Sequence, residues 1–264
     1  MSHYTVLVID SNGSDTVDEQ LERFSEHIEM DPYVSGPADL KTMRNYYAQN
    51  DDPKIKHWSN EKLVKEFGED WNGTGFQKDE DGNWVEMSTY NPDSKWDWYV
   101  IGGRWKGMLV AKDVALAVAG ESGAFGNDAR IDGGVDQTTK ANLDWEAMRD
   151  PKTYENASRF WELFVEGDTP TNDEEEEMLK FVFYKKEYYI ERYKDKANYA
   201  MCQTEFSTYA VLMDGEWIAP GDMGWFGMSS AELDDELEFQ LKFKETFIDP
   251  LPDHALITVV DCHI

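Results

Sequence analysis

Three passages gather the residue types that do chemistry. The first, WDWYVIGGRWKG at 96–107, sets Trp96, Trp98, Tyr99 and Trp105 around Gly102, Gly103 and Arg104. Aromatic faces stack on a base, a sugar or a guanidinium, and an arginine fork holds phosphate or carboxylate. Glycine inside a strand pattern marks a bulge, a tight bend or the close approach of a backbone or ligand. The same residues equally suit the core and rim of a bulged strand, with Arg104 paired to one of the many acids. Strand alternation places Trp96 and Trp98 on one face.

The second passage, GDMGWFGMSS at 221–230, puts glycines ahead of a helix start. Amides around Asp222, Gly224 and Ser229 could then meet an anion, with Trp225 and Phe226 either contacting the ligand or plugging the helix entry. P-loop spacing is missing and the loop has no lysine. The third passage is Asp261-Cys262-His263. Alternation turns Asp261 and His263 to one face and Cys262 to the other, and a histidine beside a carboxylate is an acid/base pair. Pairing of the first and last strands would add His3, which makes His3, Asp261 and His263 a candidate catalytic or metal set. A polar strand end is the plain alternative. No passage names a cofactor, and HExxH, GxSxG, paired CxxC and the dinucleotide fingerprint are all missing.

These passages need elements to position them. Tyr4–Ile9 reads as a strand, ended by the turn formers Asp10 to Gly13. Val17, Leu21, Phe24 and Ile28 share one face of a helix over 15–28, and Leu63, Val64, Phe67 and Trp71 share a face after a Ser59 cap. Asp81-Gly82 and Asp214-Gly215 are hairpin turns. A strand spans 98–111, broken at the two glycines. A helix starting near Asn172 carries Glu174–Glu177 in its first turn and basic residues later, an order that suits the helix dipole. Strand 206–213, a helix over 230–247 capped by Ser229 or Ser230, and strand 255–263 complete the chain.

The expected fold class is therefore α+β: a ferredoxin-like β-α-β-β-α-β sheet closed by its N- and C-terminal strands, with large, mostly helical insertions. Residues 1–111 and 206–264 form the core, with an irregular or helical insertion at about 30–90. Residues 112–205 form a mainly helical insertion or subdomain.

With 264 residues, 41% hydrophobic and 14% aromatic, the chain has the means to bury a core rather than stay disordered. Its 54 acidic against 25 basic residues leave a net charge of −29. That balance argues against direct binding to nucleic acid or to an anionic membrane, since phosphate contacts need clustered lysine and arginine, and Lys185-Lys186 is the main basic pair. Solvation, imitation of a nucleic acid before a basic protein, and adaptation to salt would each explain the acidity. Two cysteines, Cys202 and Cys262, make no disulfide framework and fit a reducing, cytoplasmic setting. No apolar run reaches the roughly 18 residues of a membrane span.

The passages at 96–107, 221–230 and 259–264 (VVDCHI), with the opening HYTVLVI at 3–9, resemble the signature passages of a family of uncharacterised bacterial and phage proteins. The resemblance touches both ends and the middle and implies a phage or bacterial cytoplasmic setting, with no activity to transfer. The reading favoured at this stage is a soluble, acidic, non-enzymatic binding protein, phage-encoded and interfering with a host defence or regulatory system. Its aromatic, glycine and arginine pocket would take a small polar ligand such as a nucleotide. Two others stay open: an acidic nucleic-acid mimic that occupies a basic host protein, and an enzyme that uses Asp261 and His263 with Arg104 as an anion clamp.

Overall fold

The computed structural model describes residues 2–123, 129–224 and 228–264. The strands are β1 (His3–Asp10), β2 (Tyr33–Pro37), β3 (Phe76–Lys78), β4 (Trp84–Ser88), β5 (Trp98–Gly103), β6 (Glu121–Ser122), β7 (Gln137–Thr139), β8 (Ala210–Met213), β9 (Glu216–Ile218) and β10 (Leu256–His263). The helices are α1 (Val17–Glu22), α2 (Leu40–Asn50), α3 (Asn60–Asn72), α4 (Pro151–Trp161), α5 (Asp173–Leu179), α6 (Lys186–Tyr193), α7 (Lys196–Thr204) and α8 (Leu233–Leu241). They fall into two compact units, Met1–Glu22 with Trp96–Ile264, and Arg23–Lys95. No helix among the described residues is long and apolar enough to cross a membrane.

The first unit is mixed α+β around a sheet ordered β6-β5-β10-β1-β8-β9, with β7 also pairing β10. β1 and β10 pair antiparallel from His3 opposite His263 to Asp10 opposite Leu256, while β8 runs parallel to β1. The chain's two end strands thus lie at the middle of the sheet rather than at its closing edge. The ferredoxin-like order is not reproduced: it needs the strand at 98–103 beside β8, but this strand pairs with β10. The edge of β8 is already taken by β9. Asp214 and Gly215, at φ 51° and 81°, make the two-residue turn that folds β9 straight back.

Several expected boundaries shift for local reasons. β5 stops at Gly103 rather than continuing to 111, because Gly102 and Gly103 take φ 84° and 58° and turn the chain. α1 ends at Glu22 instead of 28. The carbonyls of Arg23 and Ser25 accept from the Asn91 amide rather than from helix N–H groups. Asn172 caps α5 as expected, accepting from Glu175 N, but that helix ends at Leu179. The basic residues that follow belong to α6 and α7, so no single helix carries the acidic-to-basic order. Residues 112–205 contribute β6, β7 and α4–α7 to the first unit.

Period-two alternation decides what each face of the sheet does. Leu7 and Ile9 of β1, opposite Val259 and Ile257 of β10, face a core shared with Leu109, Trp145, Phe206, Phe243 and Phe247. Each fully buried side chain of this kind contributes roughly 1.5–3 kcal/mol relative to exposure. On the other face Val6, Val8, Val260 and Cys262 are just as buried.

In the second unit β2, β4 and β3 form a sheet, with Asp81-Gly82 in the β3–β4 turn. α3 is capped by Ser59, which accepts from Lys62 N, and is ended by Gly73 in the left-handed conformation. Its apolar face, Leu63, Val64, Phe67 and Trp71, joins the core of Leu40, Met43 and Ile55 as the spacing predicts.

Candidate functional site

Towards the Ser2–Ile264 end of β1 and β10 the core-facing side of the sheet turns polar. Directly opposed residues point to the same side, so His3, Thr5, Trp98, Val100, Asp261 and His263 share this face. Asp261 has no solvent exposure, and each of its carboxyl oxygens has a partner: His3 Nδ1 at 2.9 Å from Oδ1, and the Arg104 amide at 2.9 Å from Oδ2. A second pair lies beside it. His263 Nδ1 is 2.7 Å from Asp97 Oδ1, which also accepts from the Trp98 amide.

The two imidazoles have centroids 4.9 Å apart at a steep angle. Trp98 stacks on His263 at 5.0 Å and 17°, and presents its plane near-perpendicular to His3 at 5.1 Å. The rings are nearly buried, whereas Trp98 is 37% exposed and forms the open rim. With a carboxylate oxygen facing it, each Nδ1 is the donor, and in the neutral ring each Nε2 presents a lone pair. Neither Nε2 has a hydrogen-bond partner among the described residues. Chemically, these are two adjacent bases whose tautomers are fixed from behind.

A third carboxylate, Asp136, is also fully buried and lies against the Gly102–Gly103 bend. It accepts from Gly107 N at 2.6 Å and Gly120 N at 2.7 Å. Burial raises its pKa from the ordinary aspartate value, against the lowering effect of those two amides. A Cβ on Gly102 would sit 2.9 Å from the Asp136 carboxyl, and one on Gly103 would overlap Asp261. The two glycines therefore make room for the chain's own carboxylates. Of the readings open for these glycines, the tight bend is the one the backbone takes, with the two carboxylates packed against it.

The sequence candidates divide accordingly. His3, Asp261, His263 and Trp98 converge, and Arg104 reaches them through its main chain. Trp96 does not share a face with Trp98: the strand begins only at Trp98, and Trp96 donates from Nε1 to Leu21 O and meets Tyr99 edge-on at 5.0 Å. Tyr99 lies on the opposite face, with Cys262. There burial pushes the Cys262 thiol well above its usual range and leaves it an unreactive neutral group. Trp105 packs against the core.

In the described part of the 221–230 loop two amides are spent internally, Asp222 N on Ser230 Oγ and Gly224 N on Met228 O. Ser229 Oγ accepts from Ala231 N, and the cap residue of α8 is Glu232 rather than Ser229 or Ser230, so the loop does not open the helix. Ser2 Oγ donates to Gly224 O, which ties the loop's base to the strand ends. Trp225 and Phe226 lie outside the described residues.

No group of three or more His, Cys, Asp or Glu among the described residues is arranged to hold a metal ion. Sequence reasoning missed Asp97, Asp136 and Thr5. Asp97 sits inside the WDW motif, where its neighbours drew the attention. Asp136 has no local signal at all, since its partners are amides 29 and 16 residues away. Comparison of the chain with family models, curated proteins and solved structures finds no match.

Proposed function

We propose that this chain binds a small polar ligand carrying a flat ring and hydroxyl groups, of which a nucleoside or nucleotide is the model, at the rim formed by Trp98, His3 and His263. One observation carries the reading: two adjacent imidazoles, each anchored at Nδ1 by a carboxylate, present Nε2 lone pairs beside a partly exposed indole. The indole would stack on the ring, and the lone pairs would accept from hydroxyls. A ligand with donors suits this better than a bare anion, because Asp97 and Asp261 already stand behind the rings. The phage or bacterial setting implied by the resemblance belongs to this proposal.

Calorimetry against a panel of nucleosides and nucleotides tests it. Trp98→Ala and His3→Asn are each expected to weaken binding about tenfold, the 1.4 kcal/mol of one lost stacking or hydrogen-bond contact. Unchanged affinity in both variants, or no binding by any member of the panel, sinks the proposal. The same two dyads support a second reading, acid–base catalysis on that ligand. Turnover that depends on His263 and is bell-shaped in pH would favour it, and binding without turnover would leave the chain a binder.

A further inference from the structure

A recess of about 400 Å³ lies in the first unit where the segments 112, 140–145 and 244–253 meet. Three lysines line it, Lys112, Lys140 and Lys244, against two carboxylates, Asp249 and Asp253, over a wall of Leu143, Trp145 and Ile248. In a chain with 54 acidic and 25 basic residues this convergence is unusual. Several basic side chains elsewhere pair with carboxylates, as Arg159 does with Glu175, Lys196 with Glu162 and Lys242 with Glu238. Here Lys112 Nζ donates to Ala141 O at 2.8 Å, and Lys140 Nζ to Asp249 O at 3.0 Å and Leu251 O at 2.7 Å. Main-chain carbonyls hold these two ammonium groups in place without neutralising them. Lys244 alone has a carboxylate, Asp249 Oδ1 at 2.6 Å, and its Nζ lies 5.9 Å from the Trp145 ring centre. Each ammonium has three N–H donors, so donors remain unused on all three lysines.

We infer that this recess is a binding site for the phosphate group of a small phosphorylated molecule. Three compact, strongly hydrated point charges suit phosphate, whereas a planar carboxylate is better met by the arginine fork, which the recess lacks. The volume lies within the range of about 300–1,000 Å³ usual for small-molecule sites, larger than a free phosphate needs. Trp145, Leu143 and Ile248 would receive the less polar remainder of the ligand. The chain's overall negative charge is screened over about 8 Å at physiological salt, so the groups of the recess itself, three lysines against Asp249 and Asp253, decide what enters. This inference is independent of the histidine cluster.

Pyrophosphate is the probe, titrated calorimetrically into the full chain at fixed ionic strength with chloride as background. One site per chain is expected, and Lys112→Gln/Lys244→Gln should weaken it at least tenfold. Lys242→Gln, exposed just beyond the end of α8, should bind as the parent does. Should the double variant melt early, Lys112→Gln alone, whose ammonium holds only Ala141 O, is expected to lose about threefold. Equal loss in Lys242→Gln would mean that only bulk charge matters and would overturn the site. So would wild-type binding no stronger than that of the double variant, or unchanged affinity in Lys112→Gln.

Discussion

At Gly102 and Gly103 two buried carboxylates lean on one bend of backbone, Asp136 on the first and Asp261 on the second. Both glycines combine a left-handed φ with no room for a Cβ, so substitution meets strain and overlap together. Gly103→Ala is therefore expected to lose about 3 kcal/mol in urea unfolding, from roughly 1–2 of backbone strain and 1–3 of overpacking. Gly133→Ala, at φ 71° with nothing within 4 Å, isolates the strain and should lose only about 1 kcal/mol. Equal losses would mean that the carboxylates do not shape the bend. Asp136 also has a pH sign of its own. Its folded pKa is raised, so the folded state takes up a proton more readily than the unfolded one, and on this residue alone acidification stabilises. At this scale the sequence showed His3, Asp261 and His263, because strand alternation and one pairing suffice to bring them together. Asp97 and Asp136 stayed hidden because their partners are set by register and by main-chain amides that carry no residue-type signal.

The helices of the first unit are joined by a charge network centred on Arg159 of α4. Its guanidinium reaches Glu175 of α5 through Nε at 2.9 Å and Nη2 at 3.1 Å, and it also binds Glu162 and Asp168. That fork, foremost among its contacts, lowers the Glu175 pKa from 4.5 to about 2. A depressed carboxyl stabilises above its unfolded pKa and loses that contribution as pH falls through its folded one. Amide exchange in α5, taken relative to the intrinsic exchange rate at each pH, should therefore stay slow near pH 5 and quicken toward pH 2. In Arg159→Gln the same quickening should begin near the ordinary glutamate range. An unshifted profile in that variant would show that α5 is held by other contacts. Turns and caps such as Asp81-Gly82, Asp214-Gly215 and Ser59 were legible at this scale because their cause lies within four residues. The placement of β5 beside β10 was not. It depends on which edge the β8–β9 hairpin leaves open, and no window of sequence around Trp98 contains that information.

For the whole molecule the governing quantity is the charge of −29. If the acidity serves to occupy a basic, nucleic-acid-binding protein, their complex should weaken at least tenfold between about 50 and 300 mM salt, because contacts between exposed charges are screened over that range. A complex indifferent to salt would leave solvation as the reason for the acids. The central sheet carries a different consequence. β1, buried along Tyr4–Ile9, obtains its neighbours from residues 210–213 and 256–263, with no strand partner nearer in sequence among the described residues. Until those segments arrive, a six-residue β-branched and aromatic strand waits with both edges open, and only Asp10 follows it as a charged gatekeeper. The same pairing that sets His3 opposite His263 makes the refolding chain vulnerable to its own copies. Its yield is governed by the race between closing a loop of some 250 residues and meeting another unpaired β1.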